Sequence, residues 1–306
     1  MIEQLKARIN EIFVGKENVT ENVLICLLSG GHVLLEDVPG VGKTTLVKTI
    51  AALLDLSFAR IQFTPDTLPS DVVGVNVFNQ KTGEFEFKKG AIMHSLILAD
   101  EINRTSPKTQ AALLEAMSEG TVSVDSKTYP LSSPFMVIAT QNPKEFIGTY
   151  PLPEAQTDRF MMRLSIGYPD KDSELRLIKN HLEGNTPDKT ENILNADDIL
   201  KLQNEVKNVH VSDGVSSYIR DIIRLTREDE RFFTGGSVRA MLHLVDASRA
   251  HARFYERDFV KPDDVKAVAV NVLHHRLTLT ADAKIHAEDT DNIIQSLILK
   301  AKIPME

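Results

Sequence analysis

Val33-Leu34-Leu35-Glu36-Asp37-Val38-Pro39-Gly40-Val41-Gly42-Lys43-Thr44-Thr45 decides how the rest of the chain is read. A short apolar run enters a Pro/Gly loop, the loop ends in Gly-Lys-Thr, and helical periodicity follows from Thr45 through Leu54. This is the order strand, phosphate loop, helix N-terminus. Glycines let backbone N–H groups point at phosphate oxygens, and the helix start adds partial positive charge. In such a loop Pro39, Gly40, Val41, Gly42 and Thr45 form the cradle, Lys43 reaches the β- and γ-phosphates, and the Thr44 hydroxyl holds Mg²⁺. The strict pattern has glycine where this chain has Asp37. Pro39-Gly40 and Gly42 set the turn, so Asp37 is expected to matter little.

A second stretch supplies the chemistry. Ser95-Leu96-Ile97-Leu98-Ala99-Asp100-Glu101 reads as a buried strand ending in two carboxylates. Behind a phosphate loop, Asp100 suits the Mg²⁺ shell, and Glu101 suits orienting and deprotonating an attacking water. A third apolar run, Phe135–Thr140, ends in Gln141-Asn142-Pro143. The Asn142 amide there can touch the γ-phosphate or the water. No Asn-Lys-x-Asp guanine signature occurs, which favours ATP over GTP.

The remaining pattern indicates class and organisation. Helices are expected over Ile2–Ile12 and Glu17–Leu28, strands over Phe58–Phe63 and Leu164–Tyr168, and hairpins over Gly74–Phe87 and Thr121–Leu131. Strands alternating with helices predict an α/β fold with a parallel sheet and crossover helices over residues 1–170. From Asp170 onward the apolar pattern is helical, so residues 171–306 are expected to form a small all-helical lid domain, with a turn at Gly184-Asn185-Thr186-Pro187-Asp188. The chain has 306 residues, 42% hydrophobic and 25% charged, with a net charge of −8. That charge argues against holding nucleic acid through bulk positive potential. The single cysteine, Cys26, reads as a small buried hydrophobe. No apolar run approaches the roughly 18 residues of a membrane span, and the first residues lack a signal-peptide core, so a cytoplasmic location is expected. His274-His275 reads as packing, because further metal ligands are missing.

In combination, Glu36–Thr44, Leu98–Arg104, Ala139–Pro143 and Gly148–Phe160 resemble the MoxR branch of AAA+ ATPases, in the helix-2-insert clade. The resemblance runs from Val14 to about Leu277 and implies further roles. Asp158-Arg159-Phe160 matches the segment that carries the arginine finger, so Arg159 would complete a neighbouring subunit's site, with Arg163 as the alternative. Thr234–Arg239 resembles the lid's sensor-2 motif, aiming Arg239 at nucleotide; the family often has proline where Val238 stands. Val14 and Gly15 fall in the segment beside adenine. Gln62 would pair with Glu101 and hold it back. The hairpins would face a ring pore and present Lys81, Lys88, Lys89 and Lys127. The implied protein is an Mg²⁺-dependent ATPase in a homo-oligomeric ring, a hexamer, working as a chaperone-like machine. It would act on client proteins with a von Willebrand factor A domain partner, in some cases inserting metal centres. The rival is a nucleic-acid-dependent motor of the helicase type, which grips DNA with the same hairpins.

Overall fold

The computed structural model describes residues 2–125, 127–142, 148–183 and 191–303. The expected turn at Gly184-Asn185-Thr186-Pro187-Asp188, Ser126 of the second hairpin turn, and Pro143 lie outside these residues. The chain opens with α1 (Ile2–Ile12) and α2 (Glu17–Leu28), then β1 (Val33–Glu36), α3 (Lys43–Leu53) and β2 (Phe58–Gln62). A short helix α4 (Pro69–Val73) leads into the hairpin β3 (Gly74–Asn79) and β4 (Glu84–Lys89). Next come β5 (Leu96–Asp100), α5 (Pro107–Glu119), the hairpin β6 (Thr121–Val124) and β7 (Lys127–Pro130), β8 (Met136–Gln141), α6 (Glu154–Thr157) and β9 (Met162–Leu164).

The sheet order is β2-β5-β8-β1-β9, and every neighbouring pair is parallel. Side chains alternate across a strand, and here the alternation sorts into two cores. Leu35, Leu98 and Ile138 face the cluster that includes α1, α2 and α3, while Leu34, Ile97, Ala99 and Val137 face the cluster that includes α5. Both faces are covered, which is why these strands read as unbroken apolar runs. With β1 beside β8 and β8 beside β5, the loops leaving their C-terminal ends converge on one edge of the sheet, where open α/β sheets bind ligands.

The strand expected over Leu164–Tyr168 is instead Met162–Leu164. It ends early because the next backbone N–H groups leave the ladder: those of Ile166 and Gly167 donate to the Asp37 carboxylate.

Beyond β9 the chain is helical: α7 (Lys171–Glu183), α8 (Ala196–Lys207), α9 (Asp213–Glu228), α10 (Val238–Phe254), α11 (Pro262–Leu273), α12 (Ala281–Ile285) and α13 (Thr290–Lys300). One small antiparallel pair, β10 (Phe232–Thr234) with β11 (Thr278–Leu279), interrupts the helices. The lid is not a separate bead. Apolar residues of α8, α10, α11 and α13 join the same buried cluster as α1, α2 and β1. Ser212 and Ser237 cap α9 and α10, accepting from Val215 and Ala240 N–H, and Pro107 sits in the first turn of α5.

Both expected hairpins are present, and they are tied together. Phe87 of the first stacks on Tyr129 of the second with centroids 4.0 Å apart and planes 13° apart. Asn76 Nδ2 also donates to Asp125 Oδ2 at 2.9 Å. Cys26 is fully buried, and burial pushes its thiol well above the ordinary range.

Leu98, at 0% exposure in the middle of the sheet, provides a test of this core. Leu98→Ala is expected to cost about 2–5 kcal/mol in urea denaturation. A loss under about 1 kcal/mol would contradict the packing described.

Candidate nucleotide site

The phosphate loop has the backbone its glycines require. Gly40 and Gly42 have φ of +85° and +90°, a region that L side chains rarely adopt. Lys43 begins α3, so the loop N–H groups and the helix N-terminus face one cleft of about 260 Å³. Pro39, Gly40, Gly42, Lys43, Thr44 and Thr45 line it from one side, and Asp100, Glu101, Thr140 and Asn142 from the other. Lys43 Nζ donates to the Asp37 carbonyl at 3.1 Å. Burial pulls the Lys43 ammonium below its ordinary value, and the charges of Asp100, Asp37 and Glu101 oppose that pull.

The acidic strand end is held by its neighbours. Thr140 Oγ1 donates to Asp100 Oδ1 at 2.6 Å and accepts from the Glu101 N–H at 2.9 Å. Arg60 of β2 reaches Asp100 Oδ2 at 2.5 Å and Gln62 Oε1 at 2.7 Å. Glu101 leaves the strand in the left-handed region, φ 57° and ψ 49°, a conformation that costs an L residue roughly 1–2 kcal/mol. Its carboxylate accepts from Gln62 Nε2 at 2.9 Å and pairs with Arg104 Nε at 3.1 Å. The base expected from the sequence is thus strained, poised in the cleft and engaged by Gln62 and Arg104.

The donor set fits Mg²⁺. This hard cation takes oxygen ligands, keeps several waters, and is commonly bound through one or two carboxylates plus substrate phosphates. The Thr44 hydroxyl and Asp100 line the same cleft as the phosphate loop. Among the described residues no group of three or more His, Cys, Asp or Glu could hold a metal ion unaided.

A second cleft of about 250 Å³ opens on the far side of Gly40, Gly42 and Thr45. Phe13, Val14, Val41, Ile166, Pro169 and Leu177 make it mainly apolar, the surface a purine ring requires. Gly15 is not among its lining residues. It borders an adjoining polar hollow, where an added Cβ would meet Ser173 Oγ at 2.2 Å. Its backbone therefore serves the close approach of α7.

The arginines lie elsewhere. Neither Arg159 nor Arg239 lines the phosphate or the base cleft of its own chain. Arg239, the lid arginine expected to be aimed at nucleotide, meets Asp158 Oδ2 through Nη1 at 3.1 Å. Arg159 lies along α5, donating to the Leu114 carbonyl at 2.7 Å and to Ser118 Oγ. Arg163, on β9, is paired with Glu36.

The sequence reading passed over several residues. Arg276 is the most consequential. Its side chain is 1% exposed and every arm of the guanidinium is used. Nε meets Asp158 Oδ1 at 2.7 Å, Nη1 the carbonyls of Met161 and Val272, and Nη2 the carbonyls of Asp158 and Phe160. His243 Nδ1 accepts from the same guanidinium at 2.6 Å, and burial with the Arg276 charge lowers that imidazole to a pKa of about 3. Arg60 and Thr140 were likewise missed. Asp37 is no bystander either: it is 6% exposed and accepts from Ser165 Oγ, Ile166 N–H and Gly167 N–H. His275 is buried against the Phe160 carbonyl, and His274 pairs with Asp291.

The phosphate cleft, acidic strand end, Asn-tipped strand and helical lid together define an AAA+ ATPase. Residues 32–162 match the family described as "ATPase family associated with various cellular activities (AAA)", and residues 224–297 match the AAA lid domain. The chain is 40% identical to Chaperone MoxR1 of Mycobacterium tuberculosis, over 99% of this chain and 82% of that protein. It is 46% identical to the uncharacterized protein YeaC of Bacillus subtilis, over 97% of this chain and 93% of that one. The crystal structure of a candidate ATPase from Cytophaga hutchinsonii superposes with a TM-score of 0.92 at 41% identity, covering 99% of this chain and 95% of the other. The chain belongs to the MoxR family of AAA+ ATPases, nucleotide-binding enzymes that hydrolyse ATP. No helix among the described residues is long and apolar enough to cross a membrane.

Lys43 contacts the loop and the cleft rather than the apolar core. Lys43→Ala is therefore expected to abolish ATP binding by calorimetry while leaving the far-ultraviolet circular dichroism unchanged. A folded mutant with normal affinity would remove the phosphate-loop assignment.

Proposed function

We propose that this chain is the motor of a MoxR-type chaperone-like machine, hydrolysing Mg²⁺-bound ATP at sites that two protomers complete. Residues 1–170 form the nucleotide-binding unit and 171–306 the lid, and protomers assemble in a homo-oligomeric ring of six. Lys43 and the loop N–H groups bind the β- and γ-phosphates, and Val14 with Val41 holds the base. Thr44 and Asp100 would hold Mg²⁺, which would supply positive charge to stabilise the reacting phosphates. Glu101 orients the attacking water and accepts its proton; Asn142 fixes the water or the γ-phosphate. Gln62 keeps Glu101 occupied until a conformational step frees it.

Arg159 and Arg239 act on the neighbouring protomer's nucleotide, where a guanidinium stabilises charge developing on the transferred phosphoryl group. One observation carries this reading: Lys43, Thr44, Asp100, Glu101 and Asn142 line a single cleft, while both arginines lie outside it against Asp158 and α5. Arg276 anchors the carbonyls on either side of Arg159, so lid position and finger position change together. The motion reaches the tied hairpins, which face the pore and act on client protein. A von Willebrand factor A domain protein delivers or anchors the client, and metal-centre maturation is one task such an arrangement serves.

Two experiments test the assignment. Glu101→Gln is expected to bind Mg·ATP with unchanged affinity and to hydrolyse it at least about 100-fold more slowly; turnover at the normal rate would assign the base to another group. Arg159→Ala is expected to keep ATP binding and lose on the order of 10³-fold in assembled turnover. Mixing it with Lys43→Ala protomers is expected to restore activity, because some interfaces then pair an intact finger with an intact phosphate loop. Mixed rings seen by native mass spectrometry with no recovered activity would place Arg159 in its own chain's site or pass the role to Arg163.

A further inference from the structure

Asp37 stands where a strict phosphate loop has glycine, and each of its polar groups has a different partner. Its N–H donates to the Gln141 carbonyl at 3.2 Å, extending the ladder to the residue before Asn142. Its carbonyl accepts from Lys43 Nζ at 3.1 Å. Asp37 lines the phosphate cleft, and the donors to its carboxylate come from the segment leaving β9. Oδ1 accepts from Gly167 N–H at 2.9 Å and Ser165 Oγ at 3.1 Å, and Oδ2 accepts from Ile166 N–H at 2.5 Å.

A carboxylate beside a phosphate cradle normally opposes an anionic ligand, since like charges repel at short range. Here the donors that satisfy it all come from the segment leaving β9. That same segment supplies Ile166, Gly167 and Pro169 to the apolar cleft next to the phosphate loop. Gly167 adopts φ +63°, so the chain turns sharply as it leaves the carboxylate. One side chain therefore fixes the distance between the wall that meets the base and the loop that meets the phosphates.

We propose that Asp37 is a positioning residue that couples base recognition to phosphate binding, holding residues 165–167 against the root of the phosphate loop. The inference rests on the reading of the two clefts as phosphate and base sites. Removing the carboxylate frees the base wall while Gly40, Gly42, Lys43 and Thr44 keep the cradle. ATP then loses affinity, and a ligand that has phosphates but no base does not.

Calorimetric titration of the full chain with ATP and with inorganic tripolyphosphate, both with Mg²⁺, tests this. The wild-type chain is expected to prefer ATP. Asp37→Gly is expected to raise the ATP Kd by about tenfold or more and the tripolyphosphate Kd by less than about threefold, so the preference collapses. A general loosening of the fold would weaken both ligands alike, and that result would overturn the proposal, as would an unchanged ATP Kd. If Asp37→Gly fails to fold, Ser165→Ala removes a single donor and reads the same ratio. The ratio falling in Ser165→Ala supports the proposal, and a constant ratio overturns it. A wild-type chain that binds both ligands equally would instead refute the base-cleft reading and take the proposal with it. A wild-type preference that survives in Asp37→Gly refutes the proposal alone.

Discussion

One hydroxyl holds the reactive edge of the sheet in order. Thr140 Oγ1 sits between β5 and β8, donating to the Asp100 carboxylate and accepting from the backbone of Glu101. Parallel neighbours already share register through the ladder. The hydroxyl extends that register one residue beyond the paired strands, where the acidic residues must be placed. It also supplies the acceptor that the Glu101 N–H needs after the chain turns into the left-handed region. Strain at Glu101 is tolerable because its surroundings hold it on several sides: Thr140 below, Gln62 and Arg104 at the carboxylate. A strand end held on several sides thus carries Glu101.

The second constraint is the buried guanidinium of Arg276. Removing one partner of a buried, hydrogen-bonded ion pair typically costs about 3–5 kcal/mol, and Arg276 also satisfies the backbone carbonyls around Arg159. It follows α11, so the lid grips the segment Asp158–Phe160 of its own chain. With α8 and α10 packed on α2 in one apolar cluster, the lid follows the sheet domain closely. The hairpins form a second mechanical unit, joined by the Phe87–Tyr129 stack; one follows β2 and α4, the other directly precedes β8.

What the sequence made legible was what chemistry keeps local. Gly40, Gly42, Lys43 and Thr44 read as a phosphate loop because spacing alone builds it, and Asp100-Glu101 reads as an acidic strand end because apolar residues precede it. The alternation of strand and helix was enough for the parallel sheet, and helical periodicity for α8 to α11. The contributions of Asp37, Arg276 and Thr140 were not legible, since each depends on partners distant in sequence: Asp37 on residues 165–167, Arg276 on Asp158 and Phe160, Thr140 on Asp100. The same cause misplaced the last strand. Ser165-Ile166-Gly167 has strand-like composition, but its donors are taken by a carboxylate that no local pattern reveals. Arg239 was read correctly as a lid arginine, and its direction was set by Asp158 across the interface between lid and sheet domain.

One chain's cleft gathers Lys43, Thr44, Asp100, Glu101 and Asn142 but neither Arg159 nor Arg239, and the proposed function therefore requires a second protomer. The most direct test of that requirement is ATPase activity per protomer measured across a dilution series, alongside mass by analytical ultracentrifugation. The account predicts that activity per protomer follows the assembled fraction and falls to near background in the monomer, while ATP binding persists there. A monomer that hydrolyses ATP at the assembled rate would contradict it.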